Sequence, residues 1–249
     1  MSWQPWEDVV SLVELVAPTS CAGCGRRGQR WCPACGAELR TPAPGPWSPT
    51  PRPAGMPPTW SGPPYADHVR LAIVAWKDQG RADLTAVFAP VLREILATAL
   101  SASAPHRDHL RAGGPLWLLP APSARSGTRA RGEHRVAALT KASVHDLPAS
   151  VCRVSGALRL RRRVSDQAGL TALARAANLS GAVAVDPRAA RAMAGRPCVV
   201  VDDVVTTGAT LAECARALRQ AGFGPVIAVT LAATRRRGRG ALPQPQVAD

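Results

Sequence analysis

A chain of 249 residues can bury one sizeable core plus a small appendage. Its formal net charge of +14 points to anionic partners such as polyphosphates, nucleic acid or an acidic protein surface, or else to an arginine-favouring coding sequence, since Lys77 and Lys141 are its only lysines. No segment is read as reaching the ~18 to 20 apolar residues that span a bilayer, which leaves a soluble protein as the expectation.

The N-terminus carries Glu7, Asp8 and Glu14 around a short apolar stretch and no basic leader. Seven cysteines, an odd number, suit a reducing compartment better than a disulfide framework, and a cytoplasmic location is expected. Four of them pair as Cys21-x2-Cys24 and Cys32-x2-Cys35, a spacing that lets each pair grip one ion. Four thiolates match tetrahedral zinc, with iron the second choice, and leave no open position, so the site is structural. Residues 1–40 form this expected module, and the metal is what folds it. Cys152, Cys198 and Cys214 lack partners at ligand spacing and read as small core residues.

Residues 41–64 hold ten prolines in 24 positions, which reads as an extended, semi-rigid linker. Trp47 and Trp60 within it either stack on bases or pack against the neighbouring domain. Helical periodicity follows in Val69, Ala72, Ile73 and Trp76, then in the series Leu84 to Ala99. Leu116 to Leu119 is a short apolar run closed by Pro120, the expected first strand. Further strands are expected at 150–154, 182–185, 199–203 and 226–231. The helices between them are expected at 129–141, 167–178, 187–193 and 209–221, the last with Gly222 as its C-cap. Such alternation predicts an α/β fold whose parallel sheet is covered by helices on both faces.

Two basic segments stand where an anion would need them. The block from Pro120 to Arg135 follows the first strand and offers backbone amides, Ser123, Arg125, Arg129 and Arg131 to phosphate oxygens. The stretch from Ala157 to Leu170, with Arg163, reads as a lid that excludes water. Either segment alone is equally a solvated basic loop.

The densest signal is Val199 to Leu211, VVVDDVVTTGATL. Three valines fill a buried strand, and Asp202 and Asp203 follow at its carboxyl end, where open α/β sheets bind ligands. Thr206, Thr207, Gly208, Ala209 and Thr210 then lead into a helix, and their backbone N–H groups form an anion nest at its positive end. Acids beside an anion nest suit a sugar 5-phosphate: carboxylates accept from vicinal hydroxyls while amides and hydroxyls hold the phosphate. The run resembles the phosphoribosyl pyrophosphate (PRPP) motif of type I phosphoribosyltransferases. There is no G-x4-G-K-[ST], and Gly222-x-Gly224 follows a helix, not a strand.

The resemblance widens when the four cysteines, Tyr65, Trp76-Lys77-Asp78-Gln79-Gly80-Arg81, the P-x-P-x4-R-x3-R-x-R-G block, Arg163, Gln167, Gly169-Leu170, Arg175, Asn178, Gly181 and the PRPP loop are taken together. Over nearly the whole chain this resembles the ComF family, whose members pair a zinc-ribbon-like N-terminus with a type I phosphoribosyltransferase fold. The resemblance implies that residues 65–234 are a phosphoribosyltransferase-like domain and that residues 235–249 are a basic tail. It implies that Asp202 and Asp203 hold the ribose 2- and 3-hydroxyls while residues 206–210 cradle the 5-phosphate, with Mg2+ bridging ribose oxygens and pyrophosphate. It also implies a second function class: a non-catalytic single-stranded-DNA-binding or assembly factor for DNA uptake in competence, with a PRPP-sensing or vestigial site. The tail Arg235-Arg236-Arg237-Gly238-Arg239-Gly240 suits that class, or simply aids solubility. Two departures stand out. Arg131-Gly132-Glu133-His134-Arg135 replaces the family's R-G-F-N-Q, and Thr206 stands where purine-salvage relatives place an acid, which argues against purine acceptors.

Overall fold

A computed structural model of the chain describes residues 19–122, 135–161 and 179–234. Its elements, in chain order, begin with helix α1 (Pro33–Leu39), started by Pro33 directly after Cys32. Strands β1 (Gly45–Trp47) and β2 (Thr59–Ser61) follow. Three helices come next: α2 (Asp67–Asp78), α3 (Leu84–Ala102) and α4 (Ala104–Arg111). The chain continues through β3 (Leu116–Pro120), α5 (Arg135–Ser143), β4 (Cys152–Val154), β5 (Leu158–Leu160) and β6 (Val183–Val185). It then forms α6 (Pro187–Met193), β7 (Cys198–Val205), α7 (Ala209–Gln220) and β8 (Val226–Ala233).

The main sheet has the order β1-β2-β8-β7-β3-β4, with β1 antiparallel to β2 and every other pair parallel. The strict alternation of a strand decides which residues face which layer. Leu118, Val199, Val201, Ile227, Val229 and Leu231 point into a core built with α2, α3 and α5. Leu119, Cys198, Val200, Val226 and Ala228 point the other way, onto α6, α7 and the β5–β6 pair. Every residue of β8 is buried, as a central parallel strand demands. This is the α/β sheet with helices on both faces that the element order predicts.

The proline-rich stretch expected as a linker behaves differently at residues 45–47 and 59–61, which are the strands at the sheet's edge. Thr59, Trp60 and Ser61 pair in register with Ala228, Val229 and Thr230 of β8. The prolines assist because a proline lacks only the donor. Pro58 O accepts from Ala228 N at 2.8 Å and Pro63 O from Ala233 N at 3.2 Å. Ser61 Oγ accepts from Thr230 Oγ1 at 3.0 Å between two buried side chains. At Gly62 an added Cβ would lie 2.7 Å from Leu231 O, so only glycine fits against the strand. Trp60 packs against the first core and Trp47 against the second, both partly buried.

β6 also departs from expectation. It lies outside the main sheet, antiparallel to β5, with Leu158, Arg159 and Leu160 opposite Val185, Ala184 and Val183. Buried Glu213 of α7 ties this pair down by accepting from Val183 N at 3.0 Å while Arg216 neutralises it at 2.6 Å. The arginine fork holds the Glu213 carboxyl below its ordinary range even though burial pushes the other way.

Helix α3 amends the membrane reading, for its 19 residues are long and apolar enough to cross a bilayer by length and composition alone. Here Leu84, Phe88, Leu92 and Ile95 are fully buried against the sheet. The helix expected at 129–141 is described from Arg135 onward, and the one at 167–178 falls outside the described residues. Helix α4 has no counterpart among the sequence expectations. Its buried His106 bridges Ser103 Oγ (2.8 Å) and Cys198 O (3.1 Å), and burial lowers the imidazole pKa.

Candidate functional site

The carboxyl end of β7 places two acids side by side, one on each face of the strand. Asp202 Oδ1 accepts from Asp203 N at 2.9 Å, and Asp203 Oδ1 from Val204 N at 2.7 Å, so each carboxylate keeps one oxygen turned from its own backbone. Asp202 is half-buried, and its desolvation together with the neighbouring Asp203 charge pushes its pKa up to about 7. Asp203 is buried, with its side chain 5% exposed, and Lys77 Nζ stands 2.6 Å from its Oδ2. Burial works against the Lys77 ammonium, but the Asp203 carboxylate outweighs it and the lysine pKa is raised. Tyr65, hydrogen-bonded through its N–H to Ala233 O at 2.7 Å, stands close enough to feel both Lys77 and Asp203, and burial raises its phenol pKa.

Beyond the acids, Thr206 and Thr207 turn the chain into α7. Gly208 is the residue before the helix, at φ +76, ψ 2, a left-handed conformation that favours glycine. A Cβ there would lie 2.5 Å from Met56 Sδ, so the turn also has a ceiling. Ala209 N reaches Thr207 Oγ1 at 3.4 Å, and Thr234 Oγ1 reaches the Val205 and Thr206 carbonyls at 3.4 Å. The turn therefore presents the first N–H groups of a twelve-residue helix beside a carboxylate pair. Such a surface suits a ligand with an anionic end and a hydroxyl-bearing end.

Ser123, Arg125, Arg129, Arg131 and Arg163 lie outside the described residues. Pro120 pairs with Val201, and Ala121 N donates to Val201 O at 2.8 Å, so the chain leaves β3 beside Asp202.

The N-terminal cysteines converge. The sulfurs of Cys21, Cys24, Cys32 and Cys35 all lie within 4.8 Å of one another, with Cys24 and Cys32 3.6 Å apart. Four sulfurs at ~2.3 Å from a tetrahedral zinc would be about 3.8 Å apart, so this geometry fits the ion. Burial raises the Cys21 thiol, but N–H groups of Cys24 and Cys32 among others draw it down to about 6. Burial drives Cys35 strongly upward. The module is docked on the domain. Arg81 pairs with Asp83 and donates to Ser20 O and Arg30 O, while Glu38 meets His68 at 2.6 Å.

Sequence reasoning passed over Lys77 as a site residue. Its signal was faint: a rare lysine in an arginine-rich chain, 126 positions from its acid.

Residues 156–244 match the family model described as phosphoribosyl transferase domain. The chain carries such a domain. The matched span includes the acid pair and the turn into α7, whereas β1 to β4 and α2 to α5, which complete the sheet and bring Lys77, precede it. No curated protein matches the chain.

Proposed function

We propose that this protein binds PRPP and transfers its ribose 5-phosphate group to a nucleophile. The observation that carries the reading is the carboxylate pair of β7 set directly beside the glycine turn and N-terminus of α7. Asp202 and Asp203 accept from the ribose 2- and 3-hydroxyls, and the Thr206 to Thr210 backbone and hydroxyls hold the 5-phosphate. The hard carboxylate oxygens of Asp202 and Asp203 are chemically compatible with Mg2+, which they would help to hold and which would supply positive charge to neutralise the leaving pyrophosphate.

In the reaction the bond from the anomeric carbon to pyrophosphate oxygen breaks, and pyrophosphate takes the electron pair. The acceptor's lone pair forms the new bond to that carbon, and its proton is released. The developing positive charge on the sugar needs no protein nucleophile. The contribution of this chain is position and charge: the acids fix the ring, the turn fixes the phosphate, and cationic groups draw off the pyrophosphate. Ser123, Arg125, Arg129, Arg131 and Arg163 are the proposed pyrophosphate contacts, and zinc on Cys21, Cys24, Cys32 and Cys35 is proposed as a structural ion.

A second reading is favoured by the net charge of +14. In it the protein is a cytoplasmic ComF-like factor for competence that binds single-stranded DNA during uptake, and the same site senses PRPP. Calorimetric titration with PRPP and Mg2+, beside the Asp202→Asn, Asp203→Asn double variant, separates the two. Binding lost in the double variant supports the phosphoribosyl site, while absence of binding by either protein overturns it and leaves nucleic acid to be tested by salt-dependent binding.

A further inference from the structure

Lys77 enters the site from outside the matched domain, on the last turn of α2. Its position is set by its neighbours. Trp76 is fully buried, donates through Nε1 to Thr85 Oγ1 at 2.9 Å and meets Phe88 edge to face at 5.7 Å. Arg81, four residues on, grips the cysteine module. The backbone of residue 77 is therefore anchored on its core side, and the side chain is aimed at Asp203.

Two observations separate this contact from an ordinary ion pair. The partners differ sharply in exposure, with the Asp203 side chain at 5% and the Lys77 side chain at 45%. The lysine thus comes in from solvent and covers the acid. In addition, Asp203 Oδ2 is buried and, Lys77 apart, has no hydrogen-bond partner among the described residues, the ammonium standing 2.6 Å away. A carboxylate oxygen has two lone pairs, so Oδ2 can pair with the ammonium and still accept from one further donor. A lysine is a compact charge on a flexible stem, able to change partner without moving the backbone.

We propose that Lys77 is a ligand-binding residue of this site, one that holds Asp203 Oδ2 until a sugar hydroxyl takes that oxygen and then turns its ammonium to the pyrophosphate of the incoming ligand. The inference rests on the ribose-phosphate reading above. The exchange answers an electrostatic difficulty: a polyanion must approach two adjacent acids, and Lys77 is a cation whose charge acts on Asp202 as well as Asp203. A released ammonium near the anomeric carbon would also favour departure of pyrophosphate.

The test compares two ligands on the full chain by calorimetry with Mg2+ present: PRPP, and ribose 5-phosphate, which lacks the pyrophosphate. Lys77→Met should weaken PRPP binding by about tenfold or more while changing ribose 5-phosphate affinity by less than about threefold, and Lys77→Arg should restore most of the loss. An equal change for both ligands, or none, overturns the proposal, since a merely structural counter-ion cannot tell them apart. Should Lys77→Met not melt cooperatively, Lys77→Met, Asp203→Asn is compared with Asp203→Asn alone. This removes both charges, and the same selective loss for PRPP is expected, with no selective loss overturning the proposal. Failure of the wild-type protein to bind either ligand is a different result: it removes the ribose-phosphate reading itself and the role of Lys77 with it.

Discussion

Trp31 of the cysteine module meets Phe88 of α3 edge to face, with ring centroids 6.4 Å apart, and Phe88 in turn meets Trp76 of α2. Leu39 of α1 belongs to the same core as Phe88. The module therefore shares a core with the domain that carries the site. Removing the proposed zinc should destabilise the domain and not merely fray one end. Chelation, or Cys32→Ser, should lower the melting transition by roughly 5–15 °C, from a few kcal/mol of lost burial spread over a domain of this size. The check is thermal melting alongside metal analysis. One zinc per chain in the untreated protein and none after treatment is expected.

Asp202 supplies a pH dependence. Its pKa stands near 7 against an ordinary value of 3.8, raised by burial and by Asp203. The folded protein thus binds a proton that the unfolded chain has already lost between about pH 4 and 7, and the stability this group contributes falls as pH rises through that window. Asp202→Asn should therefore gain stability relative to wild type at pH 8 and differ little at pH 4, as read by urea unfolding at both values.

On the proposed ribose assignment, the same titration should govern ligand binding. A protonated Asp202 is a weaker acceptor toward a hydroxyl, so affinity for PRPP should rise with pH through about 7 in the wild-type protein. The slope should flatten in Asp202→Asn when calorimetry is repeated at pH 6, 7 and 8.

Gly208 is bound on two sides, by its positive φ and by Met56. Gly208→Ala should destabilise by about 1–3 kcal/mol. Adding Met56→Ala should recover the steric part and leave the backbone part, a non-additive pair measurable by a double-mutant cycle in denaturant.

Much of this arrangement was legible in the sequence where short-range signals dominate. The valine run, the acid pair and the turn into α7 are contiguous, and Pro187 to Met193 carries its own cap, Asp186 accepting from Arg188 N and Ala189 N. The edge strands were not legible, because proline content argues against a strand only when the donor side must pair. In β2 the neighbouring prolines contribute carbonyls alone. β6 could not be assigned to its own small sheet, since three apolar residues say nothing of their partner and Glu213 lies 30 positions away. Lys77 was hidden for the same reason: only the packing of α2 brings it to Asp203.

The edge strands yield a further expectation. A chain that begins at residue 65 lacks β2 and exposes the hydrogen-bonding edge of β8 at Ala228 and Ala233. Such a truncation should aggregate or lose its cooperative melting transition, whereas one that begins at residue 41 retains the edge. Size-exclusion chromatography of the two truncations distinguishes these outcomes.

The most direct measurement is calorimetric titration of PRPP with Mg2+ into the wild-type protein and Asp203→Asn. Saturable binding in the wild-type protein, weakened at least about tenfold in the variant with little change in its melting transition, is the predicted result. Equal affinity in the two proteins, or no binding by the wild-type protein, would contradict the assignment of this strand end as a ribose-phosphate site.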